Sequence, residues 1–160
     1  IGKEGMVLIG GVQIMKGYLH NSAKTNSVIK NIDGKSWYIT GDKGKLDHDG
    51  FLTIVDRYSR FAKLAGEMVS MGAIEAKLAK IIQDEEIEYV ATSIPDEKKG
   101  EKIILLLTNI TQEEILDLKS KIIKEFDNKL MIPSTYKIVN EIPKLGSGKI
   151  DYGNSKKLAL

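Results

Sequence analysis

Three short segments carry residues whose types and spacing could do chemistry. Thr40-Gly41-Asp42 sets a carboxylate beside a glycine, where it could accept two hydrogen bonds from a diol such as a ribose. Ala65-Gly66-Glu67 is a run of small residues that allows a ligand to approach the backbone closely. Lys149 closes the glycine-rich segment 143–149 and offers a mobile positive charge to a phosphate or a carboxylate. Taken singly, each segment is at least as typical of an ordinary surface turn or an interdomain connection.

The use of arginine adds a fourth signal. Of the 24 basic residues only two, Arg57 and Arg60, are arginines, and they lie three positions apart. Arginine presents a planar fork of donors that lysine lacks, so both positions are candidates for a site that requires forked hydrogen bonding. Two ordinary surface charges are the alternative.

The segment 143–149 does not fit the phosphate loop of P-loop nucleotidases. That pattern requires Gly five positions before Gly148 and Ser or Thr after the lysine. These positions hold Pro143 and Ile150, so the pattern fails at both. A P-loop nucleotidase is therefore disfavoured.

Composition excludes several further classes of protein. The net charge of +2 disfavours a nucleic-acid binder of the basic-patch kind. The absence of cysteine excludes disulfides, thiolate zinc sites and cysteine nucleophiles, and two histidines exclude a histidine-rich metal site. The longest apolar run, Ile103 to Leu107, is far shorter than the roughly 20 residues of a membrane helix. We therefore expect no metal centre, no membrane-spanning segment and a cytoplasmic location. Because the first residue is Ile1, we expect a segment of a longer chain.

The elements that must position these residues fall into two parts. Up to about Arg57 the pattern predicts short strands and an Asp49-Gly50 turn; the strands are 6–9, 12–18, 36–40 and 51–55. The second part predicts an α+β unit with a small β-sheet flanked by helices. Its helices are 71–83 with Ser70 as N-cap, one opened by a capping box at 111–114, and 152–160; its strands are 87–94, 102–108 and 135–142.

Together, these segments resemble the C-terminal portion of the adenylate-forming superfamily: acyl-CoA synthetases, nonribosomal adenylation domains and luciferases. The matching stretches are Gly17-Tyr18, Thr40-Gly41-Asp42-Lys43-Gly44, Asp49-Gly50-Phe51, Arg57, Gly66-Glu67 and Pro143 to Lys149. The wording of residues 60–70 is most similar to the synthetase half of bacterial bifunctional 2-acylglycerophosphoethanolamine acyltransferase/acyl-[acyl-carrier-protein] synthetases.

The resemblance implies an organisation and an activity. Residues 1–58 would be the β-rich end of a large N-terminal adenylation domain, and residues 59–160 a small, mobile C-terminal domain. The parent enzyme would use ATP and Mg²⁺ to turn a fatty acid into an acyl-adenylate. It would then pass the acyl group to the phosphopantetheine thiol of acyl carrier protein or CoA, in phospholipid reacylation. Such a parent could lie at the inner membrane.

The resemblance also assigns roles residue by residue. Asp42 and Arg57 would bind the nucleotide, and Lys149 would be the catalytic lysine of adenylation. The turn 65–67, that is Ala65, Gly66 and Glu67, would line the pantetheine channel. Ser59 would be the hinge, where the family usually has Asp or Lys. Ala65 likewise stands at a position where the family commonly has Gly.

Several motifs of the family are absent. The main ATP and magnesium motifs lie upstream in the family, and no His-x-x-x-x-Asp acyltransferase motif is present. We therefore expect the chain to be inactive alone and to need the rest of its own N-terminal domain. The alternative function is a non-catalytic module that docks a carrier protein through an exposed basic face.

Overall fold

The computed structural model describes residues 2–160, and the chain divides into two compact units. The first unit ends at Ser59 and the second is Arg60–Leu160. A single 3₁₀ turn, Tyr58–Arg60, spans this division. Within residues 2–160 no helix qualifies as a candidate membrane span; the longest helix, with 14 residues, is Gln112–Glu125.

The first unit is a four-stranded antiparallel sheet built around one long strand. Its elements are β1 Gly5–Gly10, α1 Ser22–Val28, β2 Ile29–Ile32, β3 Lys35–Leu46 and β4 Leu52–Arg57. All three other strands pair with β3. Most apolar side chains of this sheet remain exposed, and only Gly44 and Asp56 are buried among the described residues of the unit.

One expectation for this unit is wrong, and one helix was not predicted. Residues 12–18 form no strand; they form an irregular path between Gly11 and Gly17, which both have positive φ angles. Helix α1 was not expected because its sequence is polar and has no apolar periodicity. Its start is instead fixed by Asn21, whose Oδ1 accepts a hydrogen bond from Lys24 N at 2.9 Å.

The second unit is a five-stranded sheet with three helices, so the predicted α+β architecture is confirmed. Its strands are β5 Phe61–Leu64, β6 Glu67–Ser70, β7 Tyr89–Asp96, β8 Gly100–Leu107 and β9 Thr135–Ile138. Its helices are α2 Met71–Leu78, α3 Gln112–Glu125 and α4 Tyr152–Ala159. The sheet order is β6-β5-β8-β7, and β9 pairs with β8 in parallel.

The core of this unit lies on both faces of β8. Alternate residues Ile103, Leu105 and Leu107 face one apolar cluster, to which α2 and α3 contribute. Ile104 and Leu106 face a second cluster, to which α4 contributes. A strand buried on both faces reads as a continuous apolar run, and Ile103 to Leu107 is the longest such run of the chain.

The helix caps of the second unit are confirmed. Ser70 Oγ accepts from Ala73 N at 3.0 Å, and Thr111 and Glu114 form the predicted capping box. Two elements are shorter than expected. Helix α2 ends at Leu78, followed by turns, and β9 ends at Ile138.

Candidate functional site

A β-bulge in the first unit positions Asp42. The pairing of β1 with β3 shifts register here, because Val7 lies opposite the three residues Thr40, Gly41 and Asp42. Thr40 Oγ1 donates to Val7 O at 2.9 Å and accepts from Asp42 N at 2.9 Å. Gly41 has φ +80°, a left-handed conformation that glycine adopts without strain. Asp42 was expected at a strand end; it lies instead within β3, on a bulge that redirects its side chain.

Arg57 on β4 is the cross-strand partner of Asp42. Arg57 Nε donates to Asp42 Oδ1 at 2.9 Å, and Arg57 Nη2 donates to Thr40 O at 3.1 Å. The guanidinium plane is thereby fixed, although the Arg57 side chain is 57% exposed and the Asp42 side chain 29% exposed. Neither bond uses Asp42 Oδ2 or Arg57 Nη1. The pair can therefore offer an acceptor and a forked donor to one ligand.

Two tyrosines complete this cluster. A hydrogen bond with Tyr18 is the main cause that raises the pKa of Tyr38, and burial adds to it. The carboxylate of Asp42 raises this pKa further, while the charge of Arg57 lowers it. Tyr18 belongs to the matching stretch Gly17-Tyr18, but no role was predicted for either Tyr18 or Tyr38. The available signal was proximity along one strand, since Tyr38 precedes Asp42 by four residues on β3.

The turn Ala65-Gly66-Glu67 joins β5 to β6. Leu64 pairs with Glu67, so Ala65 and Gly66 form a two-residue hairpin turn with φ angles of +49° and +91°. Such primed turns require positive φ at both central positions, which favours glycine at each. The turn is exposed, and Ala65 N donates to Lys99 O at 3.1 Å. That bond attaches it to the end of the β7–β8 hairpin.

Lys149 lies on an ordered hairpin. Lys144 pairs with Ile150 across its base, and Leu145 N donates to Lys149 O at 2.7 Å. Asp151 N then donates to Pro143 O at 2.7 Å, which closes the base. Residues 144–149 are exposed. The lysine is therefore presented at the surface of the second unit on a backbone with its own hydrogen bonds.

The turn and the hairpin lie at opposite ends of the same sheet. Leu64, which precedes the turn, pairs with Gly100. Gly100 in turn lies opposite Asp96, the last residue of β7. At the other end, Lys144 of the hairpin forms an ion pair with Glu88, next to the first residue of β7. The eight residues of β7 at about 3.3 Å each separate these ends by roughly 25 Å. In any one orientation, the second unit can therefore present only one of these two segments to a ligand.

Ser59 is the last residue of the first unit, in the middle of the 3₁₀ turn Tyr58–Arg60. Within residues 2–160 no group of three or more His, Cys, Asp or Glu side chains is arranged to hold a metal ion.

No protein-family model matches the chain. Three similar curated proteins are bacitracin synthase 1 of Bacillus licheniformis, 2-succinylbenzoate–CoA ligase of Listeria monocytogenes and long-chain-fatty-acid–CoA ligase of Yersinia pestis. Each is 30% identical, over 94%, 98% and 94% of this chain. The chain spans 3%, 32% and 26% of these proteins, so it corresponds to about a third of their length or less.

Two solved structures are similar to this chain over nearly its whole length. The ATP-bound RpMatB–BxBclM chimera superposes with a TM-score of 0.78 and 25% identity, over 98% of this chain and 31% of the chimera. The o-succinylbenzoate CoA synthetase of Bacillus subtilis, in complex with its acyl-adenylate, gives 0.75 and 24% identity over 97% and 31% of the two chains. The fold is thus that of the C-terminal region of adenylate-forming enzymes, and the relatives include AMP-forming acyl- and aryl-CoA ligases.

Proposed function

We propose that the chain is the C-terminal portion of an ATP-dependent ligase that joins a carboxylic acid to a thiol. The observation that carries this proposal is the placement of the Lys149 hairpin and the Gly66 turn at opposite ends of one sheet. A ligase of this kind has two steps, acyl-adenylate formation and thiol transfer. A mobile unit with one reactive segment at each end can serve both.

The Asp42–Arg57 pair fits the sugar and phosphate end of a nucleotide. A carboxylate oxygen outside the ion pair can accept a ribose hydroxyl, and Arg57 Nη1 can donate to a ribose or phosphate oxygen. ATP is the proposed nucleotide because the similar RpMatB–BxBclM chimera was solved with ATP bound. Mg²⁺ would neutralise charge on its phosphates, and its ligands would come from the rest of the ligase, since the described residues offer no such cluster.

Lys149 would act in the first step. Its ammonium would lie between the carboxylate of the acid and the α-phosphate, where it offsets the repulsion of two anions and stabilises the charge of the transition state. In the second step the turn Ala65-Gly66-Glu67 would line the path of the phosphopantetheine thiol. Ser59 would be the hinge between the two orientations.

The proposed acid is a fatty acid, and the proposed acceptor is acyl carrier protein or CoA. The fatty acid is supported by the long-chain-fatty-acid–CoA ligase of Yersinia pestis and by the wording of residues 60–70. That wording also supports a parent with a fused acyltransferase, which would work in phospholipid reacylation at the inner membrane. The chain alone, with only part of the nucleotide site, would be inactive.

The test is Lys149→Ala in the full-length ligase. ATP–pyrophosphate exchange with a long-chain fatty acid should fall by about 100- to 1,000-fold, because one preorganised charge contact is lost from the transition state. Thioester formation from preformed acyl-adenylate should be retained. Lys144→Ala is the matched control: it removes an exposed ion pair from the same hairpin and should change exchange little. Unchanged exchange in Lys149→Ala would refute the assignment.

A groove between α3 and the C-terminal end of α2, with the turns that follow α2, favours the second candidate, a carrier-protein docking module. This groove, of about 550 Å³, is lined by four lysines and few other residues: Lys77, Lys80, Ile81, Gln83, Lys121, Lys124 and Glu125. Lys77 and Lys121 are partly neutralised by Asp127 at 3.6 Å and Asp117 at 2.7 Å. The remaining positive charge suits an acidic carrier protein. Docking here predicts that Lys80→Glu weakens carrier binding, measured by titration, while Lys63→Glu on β5 leaves it unchanged.

A further inference from the structure

The second arginine of the chain, Arg60, takes no part in the proposed chemistry. We propose that Arg60 is a positioning residue that fixes the Lys149 hairpin to the first residue of the second unit, immediately after the proposed hinge. The inference rests on the proposed role of Lys149 for its catalytic consequence. The structural part of the inference, that Arg60 fixes the hairpin, does not depend on that role.

Arg60 is held on three sides although it begins its unit. Its side chain is only 11% exposed, and its Nη2 lies 2.7 Å from Glu75 Oε1. The guanidinium carbon lies 3.9 Å from the centre of the Tyr152 ring, and Nη1 donates to the Tyr152 hydroxyl at 3.2 Å. One planar group therefore contacts a carboxylate, a phenol ring and a hydroxyl. An ammonium provides no such plane and fork.

Glu75 anchors this group to the core of the unit. It lies on α2, and its Oε1 also accepts a hydrogen bond from Ala91 N of β7 at 2.9 Å. A buried charge is tolerated when a partner and hydrogen bonds compensate it. The carboxylate thus fixes Arg60 to helix α2 and to strand β7, so the backbone that follows Ser59 is held in the second unit.

Tyr152 transmits this position to the hairpin. It is the first residue of α4, three residues after Lys149, and the preceding Asp151 is the N-cap of the helix. Asp151 Oδ1 accepts from Asn154 N at 3.0 Å, while Asp151 N donates to Pro143 O and closes the hairpin base. The contact of Arg60 with the Tyr152 ring therefore determines the position of the Lys149 hairpin relative to the sheet.

The consequence concerns the first half-reaction. A lysine that must lie between two reacting anions loses effect when its support moves by about 1 Å. The Gly66 turn is attached to Lys99 at the other end of the sheet and does not depend on Tyr152. Loss of the Arg60 contacts should therefore impair adenylation and spare thiol transfer.

The experiment compares Arg60→Lys, Tyr152→Leu and Tyr152→Phe in the full-length ligase. Arg60→Lys keeps a positive charge near Glu75 but loses the stacked plane, and Tyr152→Leu removes the ring. Both should lower ATP–pyrophosphate exchange by about tenfold, as expected for a lost cation–π contact in a desolvated setting. Thioester formation from preformed acyl-adenylate should stay within about twofold of wild type. Tyr152→Phe keeps the ring and should restore most of the exchange rate.

Hydrogen exchange of the amides supplies a readout that needs no activity. Arg60→Lys should accelerate exchange in residues 143–155, where Asp151 N and Ser155 N are bonded, and leave α3 unchanged. Lys121→Met, which removes a surface ion pair on α3, is the control. It should leave amide exchange in residues 143–155 unchanged, and in α3 it should change exchange only in the helical turn that contains residue 121.

The outcomes separate this inference from the proposed function. Parallel loss of both half-reactions, faster amide exchange throughout residues 60–160, or no change in either readout overturns the positioning role. If Lys149→Ala leaves pyrophosphate exchange unchanged, the proposed function fails, while selective loosening of residues 143–155 would still support the structural clamp.

Discussion

Replacing Asp42 by asparagine should separate nucleotide binding from the stability of the fold. The substitution keeps an oxygen near Arg57 Nε but removes the charge of the acceptor. Because the Arg57 and Asp42 side chains are 57% and 29% exposed, their ion pair belongs with exposed pairs worth about 0.2–1 kcal/mol. The free energy of unfolding should therefore fall by less than about 1 kcal/mol.

Nucleotide binding should respond more strongly. A hydrogen bond to a charged acceptor contributes about 1.5–3 kcal/mol, which corresponds to about 10- to 150-fold in affinity. The KM for ATP in the pyrophosphate-exchange reaction of the full-length ligase should rise within that range. Urea denaturation of the same preparation gives the free energy of unfolding.

Lys43→Met is the matched control for this substitution. Lys43 is the next residue of β3 and forms its own ion pair with Glu4 at 2.5 Å. Its replacement should leave the KM for ATP unchanged. The reasoning is refuted if Asp42→Asn leaves this KM unchanged and lowers the free energy of unfolding by several kcal/mol, because the pair would then be structural.

Two further predictions concern the second unit. Ala65→Gly should raise the free energy of unfolding by about 0.5 kcal/mol, because relief of the strain of an alanine at φ +49° exceeds the entropic cost of glycine. Urea denaturation measures this free energy, and a loss of stability would contradict the prediction. The backbone N–H and hydroxyl of Thr111 hold the pKa of Glu114 below its ordinary value of 4.5. The unfolded chain then binds more protons, so this contribution is present above pH 4.5 and is lost as the pH falls through the depressed pKa. The difference in thermal midpoint between wild type and Glu114→Gln should therefore shrink below pH 4.5, and a pH-independent difference would count against the capping role.

Local patterns predicted the parts of the fold that depend on local physics. The caps at Ser70 and Thr111 were visible because a cap satisfies backbone donors only three residues away. Strand β8 was visible because burial on both faces demands an uninterrupted apolar run. Helix α1 was missed because it buries no residue, so hydrophobic periodicity carries no information about it.

The sequence indicates candidate site residues but not the geometry that the structure gives them. The sequence indicates Asp42 and Arg57, yet the bulge that redirects Asp42 depends on Val7, which is 33 positions from Thr40. The contact of Arg60 with Tyr152 spans 92 positions. Such contacts are set by the register of distant strands and by helix packing, and no local spacing encodes them.

The contacts of Arg57 and Arg60 explain why these two positions hold arginine, whereas every other basic residue of the chain is lysine. Arg57 is the last residue of β4 and is bound to Asp42 within the first unit at 2.9 Å. Arg60 is the first residue of the second unit and is bound to Glu75 at 2.7 Å. Each guanidinium fixes one end of the connection to its own unit, so the backbone between them consists of Tyr58 and Ser59. The proposed change of orientation at this joint would therefore come from the dihedral angles of Tyr58 and Ser59.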